Sequence, residues 1–328
     1  MRNASRRFGG DREDEQSATP KGNSSSSDVG ELATGIRLVS QKNSVCKKIL
    51  TALLAALLVS FSAWSEQGTT VKPKRIVSLA PSVTETLFAL GAGDQLAGIC
   101  TFCDFPREVE RIDRIGSYLA PNVEAIIAKA PDVVIGVPPN SPVAVAALQR
   151  AGLRVVIVQV DTLEQVEAAM RTIAHEAGRE ARGEALLEAL RQRMAAVRTR
   201  LEGAPQRRVL MVVGQNPLIA VGSGIFLNEL ITQAHGLNIA ADTNQQWPRL
   251  SLEVAVAKQP EVIIDGSMGS EEKGEAQLLG VWQSFPELPA VRNGRLYGRR
   301  SYALLRPGPR VAEGFEEIAR LIHPERFQ

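Results

Sequence analysis

Residues 122–136 read NVEAIIAKAPDVVIG and residues 251–265 read SLEVAVAKQPEVIID, one pattern written twice at a constant offset and without a gap. Nothing else in the chain constrains its fold as tightly, because a unit that returns in register implies two related halves. Each copy opens on a residue, Asn122 or Ser251, whose side-chain oxygen can cap the first turn of a helix. Apolar positions follow at helical spacing, Val123, Ile126, Ile127 and Ala130 in one copy and Leu252, Ala255 and Val256 in the other, where Gln259 departs from the pattern. Pro131 or Pro260 then ends the helix. The run that comes next, 132–135 or 261–264, is acidic and then β-branched, long enough only for a strand buried on both faces. One glutamate, Glu124 or Glu253, sits second in each helix, off the apolar stripe.

From residue 75 onward, short β-branched runs alternate with amphipathic helices, the signature of an α/β fold with largely parallel strands. Residues 75–79 are a first strand. Ser82 and Glu85, three apart, read as a capping box, while Val83, Leu87 and Leu90 make the buried stripe and Gly91 stops the helix. Residues 180–202 are rich in Ala, Leu, Arg and Glu, with Leu186, Leu190, Met194, Val197 and Leu201 at helical spacing and no glycine after Gly183. This segment reads as one long rigid helix between the halves; its alternative is a surface helix of one of them. Two Rossmann-like lobes are therefore predicted, at 73–178 and 204–328, joined by a helix at 179–203.

At 328 residues, with 44% hydrophobic content and a formal charge of +2, the chain can bury a sizeable core. The near-neutral balance gives no reason to expect nucleic acid or an anionic membrane face as a partner. Residues 1–46 differ in kind, polar and without periodicity, and a disordered leader is expected there. Lys47 and Lys48, an apolar run at 49–61 and then Ala63-Trp64-Ser65 read as a secretory signal peptide over 47–65, with cleavage expected after Ser65; a non-cleaved anchor is the alternative. The apolar run is short for a bilayer span. Signals normally begin at the first residue, so translation is expected to start near Val45.

Cys100 and Cys103 make a CxxC that runs into Asp104-Phe105-Pro106, which reads as loop rather than as the helix start a catalytic dithiol needs. Asp104 stands where haem attachment requires histidine, and no second CxxC completes a zinc site. The pair reads as two loop thiols, open to a disulfide in the oxidising compartment the signal implies; a thiol oxidoreductase is the reading from another class. His175, His235 and His323 lie far apart, so no metal site is expected. A phosphate loop, a nucleophile elbow and a dinucleotide fingerprint are all missing from the sequence, and no catalytic residues, cofactor or enzyme activity are expected. Aromatics make up only 5% of the chain, yet Phe102, Tyr118, Trp247 and Tyr302 all fall in loops next to strands or helices, where α/β folds hold ligands. Each could equally plug a lobe surface. Arg306 and Arg310 flank a proline-glycine turn, placed to hold a polar ligand edge or to act as a solvated helix cap.

The segments RIVSLAPSVTETLFALGAGDQLAGI, TFCDFP, GSYLAPNVEAIIAKAPDVVI, WPRLSLEVAVAKQPEVII and RPGPRVAEGFEEIARLIHP, in this order over 73–324, resemble the periplasmic vitamin B12-binding proteins of ABC importers. These belong to a wider group that binds corrinoids, haem and ferric siderophores. The resemblance implies a class III periplasmic binding protein fold, two α/β lobes on one long helix, and a monomer free in the periplasm that takes cobalamin or a related corrinoid as cargo. Haem or a ferric siderophore is the alternative cargo, with Tyr118 or Tyr302 as a contact. Phe102, Tyr118, Asn216, Trp247 and Arg306 match pocket positions of the family. Tyr302 stands where the family has an acid, and Val137 where it has tryptophan. Glu124 and Glu253 match the two glutamates, one per lobe, that bind arginines on the transmembrane subunits of the ABC transporter.

Overall fold

The computed structural model describes residues 74–267, 275–298 and 302–328, except the side chains of 275–278 and 302. The expected leader, 1–46, and signal peptide, 47–65, lie outside the described residues. The first half is built from β1 (Ile76–Ser78), α1 (Pro81–Ala89), β2 (Leu96–Ile99), α2 (Val123–Ala128), β3 (Val133–Gly136), α3 (Pro142–Arg150), β4 (Val155–Ile157) and α4 (Leu163–Ala177). Its strands are all parallel, in the order β2-β1-β3-β4, and β3 is buried along its whole length. The order reverses between β1 and β3, which makes their C-terminal ends a topological switch point.

Helix α5 (Glu180–Leu201) follows, and then β5 (Arg207–Gln215), β6 (Leu218–Ala220), α6 (Phe226–Gln233), β7 (Gly236–Asn238), α7 (Leu252–Ala257), β8 (Val262–Asp265), α8 (Glu275–Gln283), α9 (Pro289–Arg292), β9 (Leu296–Gly298), α10 (Tyr302–Leu305) and α11 (Val311–Ile322). β7 runs parallel to the beginning of β5, whereas β6 folds back antiparallel on its end. The path β7-β5-β8-β9 thus repeats the order of the first sheet, and the β5–β6 hairpin is the addition. One hydrophobic cluster runs through both halves, taking Leu87 and Ile135 from the first, Met194 and Val197 from α5, and Val209, Ile264 and Phe315 from the second.

The written repeat is a structural repeat. Asn122 Oδ1 accepts the Ala125 amide at 2.9 Å and Ser251 Oγ accepts that of Val254 at 3.3 Å. Both helices end with a left-handed residue just before the proline, Ala130 at φ 43° and Gln259 at φ 49°. A proline disfavours helical backbone in the residue before it, and this is how the chain leaves the helix twice. The duplication goes further than the pattern did. Lys129 bonds Asp113 and Lys258 bonds Asp242; Arg75 donates to the Lys129 carbonyl and Arg208 to that of Gln259; the Arg75 and Arg208 amides donate to Asp132 and Glu261.

Three expectations need correction. Ile127, placed on the buried stripe of α2, is exposed, because a helix this short buries only Ile126 deeply. In α5 the deepest residue near the start is Leu187, with Leu186 and Leu190 half-buried beside it; an Ala/Leu-rich helix has apolar residues on several faces, so spacing alone fixes the seam poorly. The Ser82–Glu85 capping box does not form. The N-cap of α1 is Ala80, with no side-chain bond, and Pro81 at the first position removes one of the unpaired amides outright.

His323 ends α11 fully buried, edge-on to His235 at 6.5 Å, with Nδ1 3.3 Å from Glu325 and no partner for Nε2 among the described residues. Burial holds its pKa below the ordinary value, with Arg207 and His235 adding to this and Glu325 opposing it. The unfolded chain therefore takes up the proton first as pH falls. Stability should be flat above about pH 6.5 and decline below it by up to about 1.4 kcal/mol per pH unit. Urea unfolding of the protein and of His323→Leu between pH 5 and 8 checks this: the decline should be shallower in the variant.

Candidate functional site

The C-terminal ends of β1, β2 and β3 carry three loops that meet around Phe102 and Tyr118. Their rings lie 5.9 Å apart in an edge-to-face arrangement, a geometry in which the ring edge of one residue meets the electron-rich face of the other. Phe102 is 55% exposed, and Tyr118 is half-buried behind it. What holds Tyr118 is a residue the sequence did not single out. Asn140 is buried; its Oδ1 accepts the Val137 amide at 2.7 Å, and its Nδ2 donates to the Leu79 and Tyr118 carbonyls at 3.2 and 2.6 Å. One side chain thereby ties together the loops after β1 and β3 and the segment that bears the tyrosine.

Arg306 reaches this group from the second half, though its guanidinium is committed to protein. Nη1 bonds Glu85 at 2.6 Å and Asp104 at 2.5 Å, and Nη2 donates to the Phe102 carbonyl at 3.3 Å. Burial pushes the Arg306 pKa down, and the bonds to Asp104 and Glu85 more than reverse this, so it stays charged. Arg310 grips Glu85 with two bonds of 2.8 Å and stacks 4.1 Å over the Phe105 ring. Glu85, expected to cap its own helix, is a buried carboxylate shared by two arginines more than 200 residues away. The turn between those arginines comes close to α1, and a Cβ on Gly308 would meet the Ser82 Cβ at 3.4 Å.

The second half presents Asn216 at the tip of the β5–β6 hairpin and Trp247 in the loop before α7, both exposed, Trp247 by 47%. Among the described residues neither makes a ring contact or hydrogen bond with Phe102, Tyr118 or Arg306. The hairpin is anchored by Asp265, also absent from the sequence-based candidates. This fully buried carboxylate at the end of β8 accepts from Gln215 at 2.6 Å, from Trp282 Nε1 at 3.2 Å and from the Ser267 hydroxyl at 2.6 Å. Tyr302 opens α10, and its side chain lies outside the described residues.

Glu124 and Glu253 are exposed at matching positions in the first turns of α2 and α7. The Glu253 carboxyl is held below its usual pKa by a hydrogen bond from its own amide and by Ser251. The paired Lys–Asp and Arg–carbonyl contacts described above pin the far end of each helix, so the two carboxylates stand on equivalent supports.

Cys100 and Cys103 are free and buried, 0% and 2% exposed, with their sulfurs 3.2 Å apart. That distance is too long for a disulfide, and the burial leaves no thiol for a protein substrate to reach. Among the described residues no group of three or more His, Cys, Asp or Glu is placed to hold a metal ion, and no helix is long and apolar enough to cross a membrane.

Residues 76–303 match the family described as periplasmic binding protein. The chain is 28% identical over 246 residues to the vitamin B12-binding protein of Vibrio cholerae serotype O1, covering 75% of this chain and 87% of that one. Among solved structures it is similar to the periplasmic vitamin B12 binding protein BtuF of Vibrio cholerae, with a TM-score of 0.68 and 27% identity over 78% of this chain and 99% of the other. It is equally similar to the periplasmic heme-binding protein RhuT from Roseiflexus sp. RS-1, with a TM-score of 0.70 and 27% identity over 77% and 99%.

Proposed function

The chain belongs to the periplasmic binding protein family, and from that premise we propose that it is an exported monomeric receptor which captures cobalamin or a related corrinoid and delivers it to an ABC importer. The coarser statement, a substrate-binding protein of the group that serves importers of vitamin B12, haem and siderophores, rests on the family and on relatives of both kinds. The observation that carries the finer one is the uncovered aromatic surface on both halves, Phe102 against Tyr118 on one and Trp247 on the other. A corrin is broad and flat with an apolar face, and aromatic rings open to solvent suit it. In this reading Phe102, Tyr118, Trp247, Asn216 and Tyr302 touch the ligand. Arg306 acts at its edge while fixing the Phe102 loop, and no covalent bond is made or broken.

A haem receptor is the second reading, favoured by the likeness to RhuT and by Tyr118, whose phenol is a known type of iron ligand. Absorption titration with cyanocobalamin and with haemin separates the two. Stoichiometric retention of cyanocobalamin is expected, weakened about tenfold in Phe102→Ala, equivalent to about 1.4 kcal/mol. Retention of haemin without any corrinoid would overturn the assignment.

A further inference from the structure

We propose that Cys100 and Cys103 are joined by a disulfide in the exported protein, and that this staple holds Phe102 and Asp104 in place at the ligand site. The inference rests on the export reading. The Cys103 amide donates to the Cys100 carbonyl at 3.2 Å, closing a turn over Thr101 and Phe102. Such a turn brings its end Cα atoms within about 7 Å, and disulfides span about 4.4–6.8 Å. The sulfurs, already 3.2 Å apart, need to approach by about 1 Å more. Arg114 Nη1 donates to both cysteine carbonyls, at 3.2 and 2.5 Å, which fixes the two ends of the turn relative to each other, and Thr84 Oγ1 lies 3.1 Å from the Cys103 sulfur.

What the turn divides gives the bond a purpose. Its two ends point into the core, while Thr101 and Phe102 between them are exposed, and Asp104 next in line takes Arg306 from the other half. A covalent link beneath Phe102 removes freedom from a loop that bears both an exposed ring and an ion pair to the other half. The chemistry is thiol–disulfide exchange with a disulfide-bearing oxidant. One cysteine first forms a mixed disulfide and releases one thiol of the oxidant, and the second then displaces the other. Two S–H bonds are lost, one S–S bond forms, and the two electrons and two protons leave on the reduced oxidant. Because the folded pair is out of solvent, the bond must form before folding is complete, and afterwards it is shielded from reductants. The only other cysteine, Cys46, precedes the apolar run of the signal peptide, so the processed chain keeps this pair alone.

The test uses the full chain recovered from its native host, alkylated in denaturant without reductant and digested with trypsin. Peptide 76–107, which holds both cysteines, should carry no alkyl group and be lighter by two hydrogens than its reduced form. Two alkyl groups on that peptide, in protein found in the periplasm, would overturn the staple; recovery from the cytoplasm would instead overturn the export reading on which it rests. Hydrogen exchange needs no ligand and tests the positioning role. Amides of residues 101–105 should exchange at least about tenfold faster in Cys100→Ser/Cys103→Ser, and likewise in reduced protein of unaltered sequence, while helix α11 is unchanged. Equal exchange in oxidised and reduced protein would refute the positioning role.

Discussion

Replacing Glu85 by alanine is expected to destabilise the protein by about 3–5 kcal/mol, the cost of removing one partner from a buried charge network. The side chain of Glu85 is 1% exposed and takes three hydrogen bonds from two guanidinium groups. Removing it takes two hydrogen bonds from Arg310 and one from Arg306, whose side chains are 18% and 10% exposed, too little for water to replace them fully. A domain holds together by only about 5–15 kcal/mol, so the loss is a large share of the total. Glu85→Gln, which keeps the shape and one acceptor, should lose roughly half as much. The exposed pair Arg107–Glu110 is the control: Glu110→Ala should cost under about 0.5 kcal/mol. Urea unfolding of the three variants provides the comparison, and a Glu85→Ala loss no greater than that of Glu110→Ala would show that the cluster contributes nothing. Since Glu85 belongs to the first half and the arginines to the second, the same variant should also loosen the tie between the Phe102 loop and the C-terminal segment.

How much of this was readable from the sequence follows the range over which each signal acts. The N-caps at Asn122 and Ser251, the strands behind them and the stop at Gly91 are encoded within three or four residues, and each is present. The long helix is equally local, running Glu180–Leu201, although its buried seam required the neighbours α4 and α11 to be decided. Glu85 was misread for the opposite reason. Its spacing from Ser82 imitates a capping box, but Pro81 already relieves the helix start, and its true partners sit on a turn 221 and 225 residues away. Asn140 and Asp265 were missed because a single polar residue after a buried strand carries no periodic signal. The one hint was that Asp265 closes the second copy of the repeat where Gly136 closes the first. Phe102 and Tyr118, notable because aromatics are scarce, do meet; for Trp247 and Asn216 the structure supplies exposure and an anchored hairpin, and among the described residues no ring contact or hydrogen bond joins them to that pair.

Reversing both repeat glutamates, Glu124→Arg with Glu253→Arg, should abolish uptake, by about a hundredfold or more, and leave ligand affinity within about threefold. The expectation comes from the symmetry of the supports as much as from the charges. Each carboxylate occupies the first turn of a six-residue helix capped from the front by Asn122 or Ser251 and braced behind by Lys129–Asp113 or Lys258–Asp242, with an arginine at the start of the neighbouring strand, Arg75 or Arg208, on a helix-end carbonyl. A receptor that must be recognised the right way round by a two-fold membrane partner gains from two like charges on rigid, equivalent mounts, one per half. Reversal should turn an attraction to basic groups of the importer into repulsion at the encounter, whereas the exposed positions share no hydrogen bond or ion pair with Phe102 or the Glu85 cluster, so ligand binding should be unaffected. Single reversals should fall between, and uptake by the unaltered protein should weaken with added salt as charge-steered docking does. Uptake in cells lacking their own receptor gene, beside equilibrium dialysis of the same variants with labelled cyanocobalamin, reads both quantities. Lost ligand binding in the double variant, or uptake that survives it, would mean that the twin helices serve the fold and not the importer.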